Sequence, residues 1–317
     1  METWKIILII ISSLIVVGIS TYFTIVNVTF GLIFSRLRFN RTILYAPLFG
    51  VRWGRYLGSM EQVKQKYMLK EHEDVEILNV DVKLHGYFYE NEESDKIIIF
   101  VHGYYSSGFD DIGIQNNLYE QLKTSLLIID QRGCGLSGGQ YTTFGIRERF
   151  DLREWIFYLD ERFRGKKEIY LSGISMGAAT VLLTSGLNGL PPSVKGIIAD
   201  SGYSRPSGIA LHTGKKIVKF QPKFLFFGIN TYCKIFAKFS MKETTVTKEA
   251  KKNTRIPVLF IHGTGDNFVP YNMSVKNFKA CNAPKRLIRI ENASHCESMR
   301  YAPEIVYPAI REFIHGE

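Results

Sequence analysis

The feature that most constrains the fold is the pentapeptide Gly-Ile-Ser-Met-Gly at 173–177. It follows the apolar run 169–171, which suits a strand, and precedes the small residues Ala178 and Ala179, which suit a tightly packed helix start. A serine in such a turn projects its hydroxyl above the sheet, and glycines two residues away on either side let strand and helix approach. The pattern therefore predicts strand, turn and helix, with Ser175 as a nucleophile. A plain glycine-containing turn is the alternative.

The remaining chain alternates short apolar runs with helical patterns, which is typical of an α/β fold. Continuous β-branched runs suit strands covered on both faces, so we expect a mostly parallel sheet with helices on both faces. Helices are predicted over 147–163 and 301–314. The predicted strands are an antiparallel pair at 75–80 and 83–89, then 96–101, 125–130, 168–171, 194–199, 257–261 and 286–290.

One stretch interrupts this alternation. Over fifty residues separate the strand that ends near Asp200 from the strand that starts at Pro257, which is too many for an ordinary connection. We therefore expect a helical cap insertion at 204–253, within a catalytic domain made of 75–203 and 254–317. An irregular connector at 42–74 would join this domain to an N-terminal anchor with a basic flank, 1–41.

No charged residue lies between Ile6 and Phe34. As a helix, these 29 residues would measure about 43 Å, against a hydrocarbon layer of about 30 Å. A cleaved signal peptide is the alternative, but its apolar core is shorter, about 7 to 15 residues. We predict an uncleaved, single-pass transmembrane helix. Because Arg36, Arg38 and Arg41 follow it, the positive-inside tendency predicts a cell-membrane protein with a cytoplasmic catalytic domain.

The positive charge of the chain is local. Forty Lys and Arg against 30 Asp and Glu leave +10, and the stretch 201–256 alone holds twelve basic and two acidic residues. The rest of the chain is neutral, which argues against a nucleic-acid-binding protein. The four cysteines form no CxxC pair and no zinc-like spacing with histidine, so no metal site is predicted.

A serine nucleophile needs a base, and the base needs a carboxylate to orient it. In this architecture the acid and then the histidine follow the serine along the chain. His295 lies in a polar loop after the last predicted strand, whereas His315 lies two residues from the chain end, where fraying would spoil its positioning. We predict His295 as the base. A solvated surface histidine is the alternative.

Two aspartates compete for the role of the acid. Asp266 follows strand 257–261, at a carboxyl end where sites assemble in open sheets. Asp200 ends the preceding strand, but its short connection to the cap suits a structural or pocket-edge role. We therefore prefer Asp266. Turn formation is the structural alternative for both residues.

A tetrahedral oxyanion requires preorganised donors. The backbone N–H of Met176 lies at the start of the helix after the serine, and that of Tyr104 follows strand 96–101. We predict these two groups as the oxyanion hole, with a side-chain hydroxyl of Tyr104 or Tyr105 as the alternative second donor. His102 is expected to pack or hydrogen-bond beneath this loop rather than act as a second base.

Five motifs, in this order, resemble those of the α/β-hydrolase family: HGYYSS, DQRGCGLSGG, GISMG, HGTGDNFVP and ENASH. Together they cover about 75–313. The chain is most similar to bacterial membrane-anchored hydrolases related to serine aminopeptidases and acyl thioesterases. The resemblance implies the α/β-hydrolase fold with an eight-stranded sheet, a triad of Ser175, Asp266 and His295, and no cofactor.

The predicted cap alternates aromatic residues with lysines. Lys234, Lys238 and Lys242 would share one helical face, and a basic helix with aromatic residues opposite suits an anionic membrane surface. Alternatively, the aromatic residues cover the active site while the lysines are solvated. The two interpretations, membrane contact and active-site cover, are compatible. Membrane lipid is therefore an expected partner through the N-terminal helix and a hypothetical one through the cap. The aromatic residues are Phe220, Phe224, Phe226, Phe227, Tyr232, Phe236 and Phe239.

These features predict a serine hydrolase that cleaves a small-molecule carboxylic ester or thioester with an apolar acyl group, through an acyl-enzyme. A serine aminopeptidase-like peptide hydrolase ranks lower, because no acidic cluster is clearly dedicated to a substrate amine. A non-catalytic, membrane-tethered binding protein with the same fold is the third interpretation. The intact serine, acid and histidine argue against it.

Overall fold

A computed structural model describes residues 2–36, 50–219 and 223–316. Its core is a single eight-stranded sheet, as predicted. The strands are β1 Glu73–Asn79, β2 Val82–Tyr89, β3 Lys96–Val101, β4 Ser125–Asp130, β5 Glu168–Ile174, β6 Val194–Asp200, β7 Val258–Gly263 and β8 Lys285–Ile290.

The strands follow the order β1-β2-β4-β3-β5-β6-β7-β8. β2 pairs antiparallel with both β1 and β4, and the remaining neighbours are parallel. The predicted strand ends differ from the observed ends by at most three residues. The largest difference is at β5, which continues through Gly173 and Ile174 because these residues still pair with Ala199 and Asp200 of β6. The serine therefore follows the strand immediately.

Helices cover both faces of the sheet and bury one apolar cluster on each side. Trp155 anchors one cluster, and Tyr67 and Ile310 belong to the other. The helices outside the cap segment are α1 Thr3–Phe34, α2 Leu57–Leu69, α3 Gly108–Ile112, α4 Leu118–Gln121, α5 Glu148–Arg162, α6 Met176–Thr184, α10 Asn272–Ala280, α11 Ser298–Tyr301 and α12 Pro303–His315.

The segment 204–253 contains three helices: α7 Pro206–Val218, α8 Lys223–Phe236 and α9 Val246–Lys252. The prediction that three lysines share one helical face is wrong. Helix α8 carries Lys234 but ends at Phe236, and the backbone turns at Lys238, whose φ is 56°. Lys242 therefore lies beyond the helix. Phe220 lies outside the described residues.

The prediction of an irregular connector at 42–74 is also wrong for its described part. A 3₁₀-helix, Trp53–Tyr56, leads directly into α2. Val63 and Tyr67, four residues apart on α2, are buried against the domain. Most of the other residues on α2 are polar or exposed, so its apolar periodicity is weak. Residues 42–49 lie outside the described part of the chain.

Helix α1 is long and apolar enough to cross a membrane, by its length and composition. Its last turns do more than link a membrane segment to the domain, because Val26, Phe30 and Phe34 are buried in the domain core. Beyond the helix, Arg36 donates hydrogen bonds to the carbonyl oxygens of Ser137 and Gly135. The C-terminal part of α1 is therefore a component of the folded domain.

The other two basic residues predicted to flank α1, Arg38 and Arg41, lie outside the described ranges.

Candidate active site

Ser175 occupies the sharp turn between β5 and α6, with a φ of 54°. Both flanking glycines are required by close backbone approach. A Cβ atom on Gly173 would lie 2.4 Å from the carbonyl carbon of Gly177, and one on Gly177 would lie 1.9 Å from the carbonyl oxygen of Val101. The Ser175 N–H donates to the carbonyl oxygen of Asp200 at 2.8 Å, which ties the turn to β6. The strained turn is therefore held from both sides.

The structure brings the predicted serine, histidine and aspartate into one hydrogen-bonded row. The Nε2 atom of His295 lies 2.9 Å from Oγ of Ser175, and its Nδ1 atom lies 2.7 Å from Oδ2 of Asp266. All three residues are buried. Nδ1 donates to the carboxylate, so Nε2 is left to accept the serine proton.

The carboxylate of Asp266 accepts further hydrogen bonds from its own loop. The N–H groups of Phe268 and Val269 donate to Oδ1 at 2.9 and 2.8 Å, and Nε2 of His262 lies 3.1 Å from Oδ2. Burial opposes ionisation, but interaction with the His295 imidazole and the hydrogen bonds from both histidines hold the pKa of Asp266 well below its ordinary value. Asp266 is therefore a carboxylate across the physiological pH range.

Asp200, the rival acid, is occupied elsewhere. Its Oδ1 atom accepts hydrogen bonds from the hydroxyls of Ser201 and Ser298, at 2.8 and 3.2 Å. Burial raises the pKa of this carboxyl group above its usual range. Its backbone oxygen holds the Ser175 N–H, so its position is structural.

Two other histidines have the kinds of contact expected of structural groups. The Nδ1 atom of His102 lies 2.7 Å from the carbonyl oxygen of Gly103, and its Nε2 atom accepts from the N–H of Gln131 at 2.9 Å. His102 is thus a hydrogen-bonding residue beneath its loop, as predicted. His315 contacts the carbonyl oxygen of Leu122 at 3.0 Å.

Both predicted oxyanion residues line the same cavity as Ser175. Met176 is the first residue of α6, where helix N–H groups have no intrahelical partner. The hydroxyls of Tyr104 and Tyr105, the alternative donors, instead donate to the carbonyl oxygens of Ile33 and Ser35, at 2.6 and 2.7 Å. Using either hydroxyl for catalysis would break a contact with the end of α1.

Sequence reasoning missed Trp53, which comes from the supposed connector. Its Nε1–H donates to the carbonyl oxygen of His295 at 2.8 Å, and its ring lies near the imidazole, with centroids 6.2 Å apart. Phe268 meets the imidazole edge-on, at 4.9 Å. These two rings limit the orientations that His295 can adopt. The available signal was a tryptophan, a residue type that is mostly buried in folded proteins, between Arg52 and Gly54.

Cys296 lies next to the base, with its sulfur 3.5 Å from Nε2 of His295. Burial raises the pKa of this thiol well above its ordinary value. The sulfur therefore stays protonated and is a poor nucleophile.

Ser175 and Met176 open onto a cavity of about 360 Å³, within the range of small-molecule pockets. Its walls are mostly aliphatic and aromatic. Helix α7 contributes Ile209 and Ile217, and α8 contributes Phe226. Its other wall is formed by the C-terminal part of α1, through Thr29, Leu32, Ile33 and Phe34.

Comparison with known proteins agrees with this architecture. A family model described as the alpha/beta hydrolase fold matches residues 96–252. An uncharacterized Bacillus subtilis protein, YqkD, is 25% identical over 234 residues, covering 74% of this chain and 75% of YqkD. Protein bem46 of Schizosaccharomyces pombe is 25% identical over 256 residues, covering 78% of this chain and 77% of bem46.

Among solved structures, the Pyrococcus furiosus esterase Pf2001 superposes with a TM-score of 0.61 and 24% identity, covering 78% of this chain and 92% of the esterase. This likeness concerns the fold. The family model, the eight-stranded sheet and the serine turn point to the same conclusion: the chain has the α/β-hydrolase fold.

Proposed function

We propose that this protein is a serine hydrolase that cleaves a carboxylic ester or thioester with an apolar acyl group. The observation that carries the proposal is the row from Ser175 through His295 to Asp266, with spacings of 2.9 and 2.7 Å, beside an apolar cavity. Nucleophile, base and orienting carboxylate in hydrogen-bond contact are what acyl transfer by serine requires.

In the first half of the reaction, Nε2 of His295 takes the proton of Ser175 as Oγ attacks the carbonyl carbon of the substrate. The negative charge that develops on the carbonyl oxygen is stabilised by the N–H groups of Met176 and Tyr104. Each such donor contributes about 2.7 to 4 kcal/mol to barrier lowering. The imidazolium then protonates the departing alcohol or thiol, which leaves an acyl group on Ser175.

In the second half, His295 removes a proton from water, and the resulting hydroxide attacks the acyl carbon. The second tetrahedral intermediate collapses, His295 returns its proton to Ser175, and the carboxylic acid leaves. Asp266 remains ionised throughout and stabilises the imidazolium in both halves. Trp53 and Phe268 keep the ring in line with the serine.

The chemistry of the cavity supports an apolar acyl group. Its described lining contains neither Asp nor Glu that could bind a substrate amine, which disfavours an N-terminal peptidase. Asp111 lines a smaller cavity beside Ser175, but its carboxylate accepts hydrogen bonds from the N–H of Gly103 and the hydroxyl of Ser106. The esterase Pf2001, similar in fold, also supports ester cleavage.

We also propose that α1 anchors the protein in the cell membrane, with the catalytic domain on the cytoplasmic side. The support is the charge-free stretch 6–34 of the helix and the basic residues that follow it, such as Arg36, Arg52 and Arg55.

The proposed function is tested with p-nitrophenyl esters of increasing acyl length and with acyl-CoA thioesters. Ser175→Ala should lower kcat by about 10⁶-fold while the thermal unfolding midpoint is retained. Ser298→Ala, a buried serine bonded to Asp200, is the matched control and should stay within about tenfold. Near-wild-type turnover in Ser175→Ala would disprove the nucleophile.

A further inference from the structure

We infer that helix α1 forms part of the substrate site, and that the substrate is an acyl lipid of the bilayer whose chain reaches Ser175 along this helix. The inference rests on the proposed serine hydrolase activity. It assigns that activity a substrate class and a route of access.

Helix α1 has two unlike parts. Residues 3–21 are exposed along their whole length. These 19 residues measure about 28 Å, close to the hydrocarbon thickness of about 30 Å. From Tyr22 onwards the helix contacts the domain, beginning with a hydrogen bond from its hydroxyl to the carbonyl oxygen of Phe224 at 3.1 Å. The domain therefore begins where a membrane-spanning segment would end.

The second part of α1 is fixed firmly against helix α8. A Cβ atom on Gly228 would lie 2.4 Å from the Tyr22 hydroxyl oxygen and 2.7 Å from Cγ2 of Val26, so the glycine permits this close contact. Phe30 then packs against Tyr232, with ring centroids 5.8 Å apart. This half of α1 is consequently a rigid wall of the domain.

The opposite face of the same turns remains apolar and exposed. Ile25, Val28 and Leu32 recur at helical spacing and are 48, 53 and 45% exposed. On α8, Phe224 and Phe227 add exposures of 72 and 68%. Phe224 packs against Tyr22 of α1, with ring centroids 4.5 Å apart, where the membrane-spanning part of α1 ends. We call these five exposed residues the apolar rim. A large exposed apolar surface in this position suits contact with lipid acyl chains.

The opening of the cavity lies at this rim. Leu32 of α1 and Ile217 of α7 both line the cavity and are about half exposed. Side chains that line a cavity and are also exposed to solvent mark the mouth of that cavity. The mouth therefore lies between α1 and α7. Thr29 and Ile33 continue the α1 wall of the cavity that Ser175 also lines.

Exposed lysines lie beside the mouth, where lipid headgroups would be. Lys215 and Lys216 are in the last turn of α7, Lys219 follows it, and Lys223 begins α8. The sequence has no acidic residue from 201 to 242. A group of lysines on the α7 side of an apolar mouth is complementary to the surface of an anionic bilayer. We therefore commit to a membrane lipid as the occupant, rather than a second protein.

The test uses the full-length protein in vesicles of phosphatidylcholine and phosphatidylglycerol. Two substrates are compared, a long-chain fluorogenic glycerolipid ester held in the bilayer and soluble p-nitrophenyl butyrate. Leu32→Trp, which narrows the mouth, should lower the ratio of long-chain to short-chain turnover at least tenfold. Ile235→Trp, the same kind of substitution at a 53% exposed position of α8 outside both the rim and the cavity lining, should leave the ratio within twofold.

Ile217→Trp narrows the same mouth from α7 and should reproduce the fall, which keeps the test decisive if Leu32→Trp does not fold. Equal ratios in the wild type, Leu32→Trp and Ile217→Trp, with short-ester turnover intact, would overturn this inference alone. A wild-type protein without turnover of either ester would overturn the proposed function, and the inference with it.

Discussion

Replacing Asp266 by asparagine should lower kcat by about 10⁴-fold, equivalent to about 5 kcal/mol, while the protein stays folded. The carboxylate is bonded on both oxygens. Oδ1 accepts from the N–H groups of Phe268 and Val269, and Oδ2 accepts from His295 and His262. The side chain of His262 is a donor at this point, because the same Nε2 atom lies 2.8 Å from the carbonyl oxygen of Val269.

An asparagine at this position keeps its single oxygen on the two backbone N–H groups. Its NH₂ group then faces Nδ1 of His295, at the 2.7 Å position of the original oxygen. Two donors cannot bond, so the imidazole must carry its proton on Nε2, which faces Ser175 and can no longer accept the serine proton. The predicted loss comes from this wrong tautomer rather than from lost packing.

The assay is the steady-state hydrolysis of a p-nitrophenyl ester by the full-length protein in detergent, with thermal unfolding measured alongside. Asp200→Asn is the matched control, because it makes the same substitution at a buried aspartate at the end of an adjacent strand. It should cost less than about tenfold in kcat. If Asp266→Asn stays within tenfold of wild type, or if both variants lose equally, the assignment of the acid is refuted.

Two predictions concern stability, each with a control, and both are read from chemical unfolding in a nonionic detergent. Gly177→Ala would force a Cβ atom against the Val101 carbonyl oxygen and should lower the free energy of unfolding by about 1–3 kcal/mol. Gly58→Ala is the control, because a Cβ atom there meets open space and should not destabilise the protein. Equal effects of the two substitutions would contradict the packing of the turn. Phe30→Ala, buried at 4% exposure, should cost about 3–5 kcal/mol, whereas Phe23→Ala, 51% exposed, should cost little. A negligible effect of Phe30→Ala would mean that α1 is only a tether.

The elements that could be predicted from sequence are those with a strong local pattern. β3 and β4 match their predicted ranges because each is a continuous apolar run buried on both faces. The turn at Ser175 was recognisable because two glycines, at fixed spacing, must lack side chains where backbone meets backbone. Local rules of this kind do not depend on the rest of the chain.

The elements that could not be predicted depend on distant contacts. A uniformly apolar helix gives no indication of which face contacts lipid and which contacts protein. The packing of Phe30 and Phe34 into the domain core could therefore not be predicted. Trp53 reaches His295 across more than two hundred residues, and no local spacing reports that contact. The prediction that three lysines share one helical face was wrong for a related reason. The end of α8 at Phe236 is set by how the chain turns back onto the domain.

The central claim, that Ser175 is an activated nucleophile, is tested most directly by covalent labelling with a fluorophosphonate probe, followed by peptide mass spectrometry. The wild-type protein should acquire one adduct, on Ser175, and Ser175→Ala should acquire none. His295→Ala, which removes the base 2.9 Å away, should label far more slowly. A folded wild-type protein that stays unlabelled, or an adduct on another residue, would contradict the account.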